Sequence, residues 1–381
     1  MEKKHIVVAV TNDLVTDQRV HRSCKALAEA GYGVTLVGRQ LPESDHLEPR
    51  EYGTHRMRLL FRRSAFFYAE YNLRLLFHLL FAHADAFYAN DSDTLLACCW
   101  AARLRGKRLI FDAHELFPEV PELVDKPRVR RVWQRVERHC LPHVDAAFTV
   151  CQSVAEEYGR RYGVQMTVVR NLPDWTMEPT EEKERHTKPW TLLYQGAVNV
   201  GRGVRELVDV MEFLPDCRLV VAGDGDQLAD LQAYAAQLPW KGRIDFLGRV
   251  RPDRLHKLTA KADLGFCLLE DLGLNYRMAL PNRIADFAHA GVPIVATGFV
   301  EISRVLDTYH TGTTTDPCPR EKEGSGYQTY VRQLASTISD TLHYWQTLPT
   351  PEREERFGRA REELCWQREK KLLIGKIGTI F

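Results

Sequence analysis

Short apolar runs recur along this chain at intervals that leave room for one helix between successive runs, and this recurrence constrains the fold most. Residues 6–10, 34–38, 87–89, 109–112, 146–150 and 167–169 are such runs in the first half. Residues 17–30 have helical period, with Val20, Cys24 and Leu27 on one face, and stop at Gly31. Strand, helix, strand repeated this way predicts a parallel, doubly wound sheet. The pattern breaks between Trp175 and Trp190, where MEPTEEKERHTKP is charged, holds two prolines and has almost no apolar residue, as a linker or exposed loop would. It resumes at 191–194, 218–222, 244–247, 264–267 and 294–296. The expectation is an α/β chain of two Rossmann-like domains facing a cleft, 1–173 and 190–361, joined by a linker over 174–189. A charged helix over 353–371, with Leu364, Trp366 and then Leu372 and Leu373, needs a partner for its apolar face. Its distal part, 362–381, is expected to pack back onto the first domain.

A length of 381 residues fits two such cores. With 52 basic and 51 acidic side chains there is no global field to recruit nucleic acid, so an anionic partner must be held by local clusters. The nine cysteines make no paired CxxC spacing, which indicates reduced thiols rather than zinc or a disulfide framework. The opening MEKKHIVVAV is too short in apolar residues for a signal segment and reads as a first strand. No uninterrupted apolar run approaches the ~20 residues that span a bilayer. A cytoplasmic protein is expected, with peripheral contact at the inner face of a membrane as a further option.

Residues 264–297 concentrate the site signals. A strand-like run leads through a polar loop, 270–275, to a helix expected to start near Pro281, carry Arg283 and Asp286, and end at Gly291. A loop after a strand that enters a helix N-terminus is where open α/β sheets bind ligands, and its amides suit phosphate. An ordinary βαβ unit explains the same stretch. Residues 194–207, YQGAVNVGRGVREL, place Gly196, Gly201 and Gly203 in a loop whose one cation is Arg202, suited to a diphosphate. In VVAGDGDQL, Gly223 and Gly225 suggest a dinucleotide fingerprint, but Leu228 replaces its third glycine, so a tight turn near the ligand is expected instead. In LIFDAHELFPE, His114 stands at a strand's carboxyl end, able to donate to a substrate hydroxyl, and no second histidine completes a zinc motif. The first loop, 11–22, gathers Asn12, Asp17, Arg19 and Arg22 as acceptor-side candidates, with helix capping by Thr16 or Asp17 as the plainer explanation. Residues 55–81 mix five arginines and many aromatics with one acid, Glu70, which suits a membrane interface or a core helix with a basic rim.

Together the stretches DQRVHR, FDAHELFPE, YQGAVNVGRGVREL, VVAGDGD, IDFLGRV, ALPNRIADFAHAGVPIVAT and CWQREKKLL resemble the GT-B glycosyltransferases of family 4 over nearly the whole chain. The resemblance implies transfer of a sugar from a nucleotide-diphosphate donor to a glycan or lipid-linked acceptor, with retained configuration and with no metal or cofactor. It implies that His114 contacts the donor sugar, that Arg202 neutralises the leaving diphosphate, and that Asp286 stands where the family has a ribose-binding glutamate. Donor contacts are expected around 196–203 and 223–225 and from Asn275, Pro281, Asn282, Arg283 and Asp286. Two positions depart from the family pattern. Met278 replaces a glutamate whose role falls to Asn275 or Glu270 or is lost. Ala197 replaces a second basic residue, leaving Arg202 alone or helped by Arg277 or Arg283. A nucleotide-sugar epimerase of the same fold and a non-catalytic nucleotide-sugar-binding protein are the alternatives.

Overall fold

The structure is a computed structural model that describes residues 3–15, 17–174 and 188–381, and the statements below refer to these. The expected linker lies almost wholly outside the described residues, as does Thr16. The chain forms two compact units, one of Met1–Asn171 with Gln367–Phe381, the other of Leu172–Trp366.

The first unit is built on strands β1 (His5–Asp13), β2 (Gly33–Gln40), β3 (Gly53–Arg58), β4 (Ala86–Asn90), β5 (Arg108–Ala113), β6 (Ala146–Thr149) and β7 (Thr167–Val168). They pair in parallel in the order β3-β2-β1-β4-β5-β6-β7, so the winding reverses between β1 and β4. Helices α1 (Gln18–Glu29), α2 (Ser64–Phe81), α3 (Ser92–Arg105) and α4 (Pro127–Cys140) are among those that flank the sheet. Every residue of β4 is buried, as expected for a parallel strand covered on both faces. The stretch 55–81 is not one helix. His55 to Arg58 belong to the edge strand β3, and the helix starts only at Ser64. The stretch 353–371 is likewise divided, into Thr350–Glu363 in the second unit and Trp366–Gly378, which reaches the first. There Glu369, 1% exposed, accepts from both the backbone N–H and Nε of Arg170 at 2.8 Å.

The second unit carries β8 (Trp190–Gln195), β9 (Cys217–Ala222), β10 (Ile244–Gly248), β11 (Leu264–Cys267), β12 (Ile294–Thr297) and β13 (Gly312–Thr315), parallel in the order β10-β9-β8-β11-β12-β13. Leu192 and Tyr194 pack with Leu219 and Val221 on one face, while Leu193, Val220 and Ala222 join Phe287 and Ile294 on the other. The strand period of two thus feeds two apolar layers. Helices α5 (Val204–Val210), α6 (Leu274–Met278) and α7 (Arg283–His289) follow loops at the carboxyl edge. The loop expected over 270–275 ends in α6, and the helix expected at Pro281 begins two residues later, after Asn282. Gly291 follows α7 with φ of +66°. All nine cysteines are buried thiols outside any disulfide.

Candidate active site

Strand order in the second unit reverses between β8 and β11, and ligands of such sheets bind at the carboxyl ends beside this point. The two loops there touch. A Cβ at Gly196, whose φ is +126°, would stand 2.7 Å from Nη2 of Arg283. A Cβ at Gly201 would strike Leu272 and come within 3.1 Å of Tyr276, while Gly203 abuts Leu268. The Gly201 carbonyl accepts from Glu270 N–H at 3.1 Å, and Gln195 Nε2 donates to Asp286 at 3.4 Å. The loop after β8 thus meets the 268–276 stretch at Gly201 and Gly203, and α7 at Gly196 and Gln195, so these loops form one packed surface.

Two guanidiniums border that surface. Arg283 is 8% exposed and lies over the Tyr194 ring, its carbon 4.7 Å from the centroid. Arg202 lies over Tyr276 at 5.1 Å. Buried Nη1 of Arg283 and buried Nε of Arg202 have no hydrogen-bond partner among the described residues. Leaving such donors unsatisfied is costly, so these atoms are suited to an anion. Arg277, the other helper considered, points to Asp271 in a two-point pair at 2.6 and 2.8 Å and is exposed. Glu270 is held by Lys322 at 2.8 Å, and Lys322 also pairs with Glu206.

Gly223 and Gly225 pack tightly against the loop after β8. A Cβ at Gly223 would collide with the Gly196 carbonyl, and one at Gly225 with Asn199 and the Val198 carbonyl. Gly196 N–H donates to Ala222 O and Val198 N–H to Asp224 O, both at 3.0 Å. Asn275 is buried on α6, Pro281 precedes α7, and Asn282 occupies its N-cap position without a side-chain capping bond.

In the first unit His114 follows β5 and sits between two acids. Its Nδ1 lies 3.4 Å from Asp91 Oδ2, and its Nε2 lies 3.4 Å from Asp112 Oδ2 and 3.2 Å from Asn90 Oδ1. Its backbone N–H also donates to Asp91 at 2.8 Å. Burial opposes the imidazolium, but Asp91 and then Asp112 outweigh it and lift its pKa to about 9. Burial also works against the Asp112 carboxylate, yet Arg19 and His114 hold its pKa well below the usual range. Asp93 differs: burial, then the charge of Asp91, pushes it up to about 7. His114 is thus a proton donor at neutral pH, with a side chain 16% exposed.

The polar residues of the first loop build the fold. Asp17 caps α1 by accepting from Val20 N–H at 3.0 Å, and its other oxygen accepts from Asn12 at 2.9 Å. Arg19 is buried and donates to Asp112 at 2.7 Å and to the Val169 carbonyl at 2.9 Å. Arg22 donates to Asn171. These contacts occupy groups that the loop had offered as acceptor-side candidates. Sequence reasoning missed Asp91, Tyr194 and Tyr276, which position His114, Arg283 and Arg202. The signal for Asp91 was present: two acids in AFYANDSD directly after a strand, at the start of a helix.

Residues 17–174 match the profile of Glycosyltransferase Family 4, and residues 190–322 match that of Glycosyl transferases group 1. The chain belongs to glycosyltransferase family 4. The architecture of this family 4 enzyme is GT-B, as in solved structures that align along its whole length. Sucrose-phosphate synthase from Thermosynechococcus elongatus superposes with a TM-score of 0.74 at 16% identity, over 99% of this chain and 98% of its own. The lipopolysaccharide outer core galactosyltransferase WaaB gives 0.71 at 13%, over 99% and 100%. Anabaena HepE, solved with UDP and glucose, gives 0.72 at 14%, over 99% and 100%. At these identities the likeness shows the fold. No curated protein matches the chain in sequence.

Proposed function

We propose that this glycosyltransferase moves a sugar from a nucleotide-diphosphate donor to a glycan or lipid-linked acceptor with retained anomeric configuration and without a required metal. The observation that carries the reading is the pair of tyrosine-stacked arginines, 202 and 283, each with a buried unpartnered N–H at the loop surface of the second unit. Breaking a sugar–phosphate bond builds negative charge on the leaving oxygen, and two fixed cations stabilise that charge without reorganising. Arg283 takes the part of the basic residue that Ala197 lacks. Asp286 accepts from the ribose. His114, held protonated, donates to a hydroxyl of the donor sugar, and Asp91 and Asp112 fix its ring. That HepE was solved with UDP and glucose supports a UDP-sugar as the first donor to try. The protein works at the cytoplasmic side of a membrane, where lipid-linked acceptors are presented.

The test is a thermal-shift screen of UDP-, GDP-, ADP- and CMP-sugars, followed by product analysis with the donor that stabilises the fold. Release of nucleoside diphosphate with an unchanged anomeric configuration in the product, and undiminished turnover in EDTA, is the expected result. A changed sugar still attached to its nucleotide would identify an epimerase. Binding without any turnover, including slow donor hydrolysis, would identify a non-catalytic protein.

A further inference from the structure

Helix α2 divides its residues sharply. Phe67, Tyr71, Leu75 and Leu79, four apart, are buried. Phe66, Leu73 and Phe77 point away from them, within roughly 40° of one another at 100° per residue. All three are about two-thirds exposed. The loop before the helix adds Leu60, 81% exposed, and Phe61, whose ring lies 5.4 Å from that of Phe66. Phe81 closes the ridge at 78% exposure.

This apolar loop tip is held in place. Glu70 accepts from Leu60 N–H and Phe61 N–H at 2.8 to 3.0 Å and pairs with Arg74 at 2.8 Å. The one acid of the stretch is thereby neutralised while it presents two large apolar side chains to solvent. A groove of about 730 Å³, lined by Met57, Leu73, Phe77 and Phe81 together with His55, Arg74 and His78, runs between α2 and the edge strand β3. Helix α3 packs beside α2, with Asn72 Nδ2 donating to the Asp93 carbonyl at 2.7 Å and Arg105 to the Leu79 carbonyl at 2.7 Å. It continues the surface with Trp100 and Leu104, 45% and 72% exposed. Arg58, Arg62, Arg63, Arg74 and Arg103 are exposed along this surface.

We infer that this face of the first unit docks on an anionic phospholipid bilayer, with the aromatic ridge in the headgroup and acyl boundary and the arginines on lipid phosphates. An apolar ridge flanked by arginine suits that boundary, and each cation near an anionic surface adds to the attraction. Among the described residues no helix is long and apolar enough to cross a membrane, so the contact is one of lying on the surface. The charge distribution also selects the occupant. A second copy docked symmetrically would bring two sets of these arginines into one interface, which is repulsive. The inference stands apart from the proposed transfer reaction, because it concerns a surface and not the donor site.

The full chain is to be co-sedimented with vesicles of phosphatidylcholine alone and of phosphatidylcholine with phosphatidylglycerol, at low and high salt. Binding to the anionic vesicles at low salt, weakened by salt and at least tenfold weaker on neutral vesicles, is expected. Phe66→Ser with Phe77→Ser should reduce that binding tenfold or more, and Arg62→Ser with Arg63→Ser should reduce it on anionic vesicles specifically. The melting temperature serves as the folding control, and both pairs should leave it unchanged because the four side chains are exposed. Absence of binding at low salt overturns the proposal, as does binding that neither folded double variant alters. A concentration-dependent dimer in sedimentation equilibrium, dissolved by the phenylalanine variant in a protein that ignores vesicles, would assign the face to a second copy instead.

Discussion

Arg283 and Gly196 are in contact across the two loops that follow β8 and β11, so closely that a methyl group on Gly196 would lie 2.7 Å from the guanidinium. The absence of a side chain at 196 is what lets the arginine stack on Tyr194 and still face the loop surface.

Gly196→Ala should therefore act twice. The φ of +126° strains any other residue, at a cost of roughly 1–3 kcal/mol. The new methyl also displaces Arg283. A lower urea midpoint is expected, together with about tenfold weaker stabilisation by the donor in thermal shift.

Arg202→Ala and Arg283→Ala should each lower kcat by ~10²-fold, comparable to loss of one oxyanion contact. Arg283→Lys keeps the charge without the planar fork and should fall between wild type and alanine. Adding Ala197→Arg to Arg283→Ala should recover part of the rate, because position 197 is exposed at the same loop. Steady-state kinetics on the four variants checks this, and an unchanged rate in Arg283→Ala would remove it from the mechanism.

His114 sets an alkaline limit. Its folded pKa of about 9 lies above the ordinary 6.5, so its contribution to stability is complete below pH 6.5 and is lost as pH rises through 9. Urea unfolding from pH 6 to 10 should show a loss of roughly 1–3 kcal/mol that His114→Gln abolishes. The same deprotonation should produce an alkaline fall in kcat.

Asp93 behaves oppositely to a paired carboxylate. Its pKa near 7 means that burial penalises its charge, so stability falls as pH rises from about 4 through 7. Asp93→Asn still accepts the Thr11 hydroxyl, which lies at 2.5 Å, and should be neutral or stabilising above pH 7 in the same titration.

Arg19→Ala should destabilise by about 3–5 kcal/mol, since it leaves the buried Asp112 carboxylate without its partner. Denaturant unfolding measures this, and a small change would return Arg19 to the acceptor-side candidates.

Eleven of the thirteen strands were legible as apolar runs, including the edge strands β7 and β10, whose short sequences still carry apolar residues. The two that were missed, β3 and β13, stand at sheet edges, and their sequences GTHRMR and GTTT carry little apolar signal. For the same reason His55 to Arg58 read as part of a helix. The break between Thr350–Glu363 and Trp366–Gly378 contains neither glycine nor proline. It arises where Trp366 N–H donates to the Pro173 carbonyl and the Leu364 carbonyl meets His289, contacts no local pattern reports. At the site the glycines of 196–203, His114 and Asp286 were visible from local sequence. The stacking of Arg283 on Tyr194 and the clasp of Asp91 on His114 join residues distant in sequence or held by an unusual backbone, with Asp91 at φ of +58°.

Because Gln367–Phe381 completes a unit begun by the first 171 residues, the second unit is an insertion within the first rather than its sequel. A chimera that exchanges everything after residue 171 would graft a foreign helix onto Arg170 and strand Glu369 elsewhere. The second unit is therefore to be exchanged between relatives as an internal cassette, with the last fifteen residues kept from the recipient.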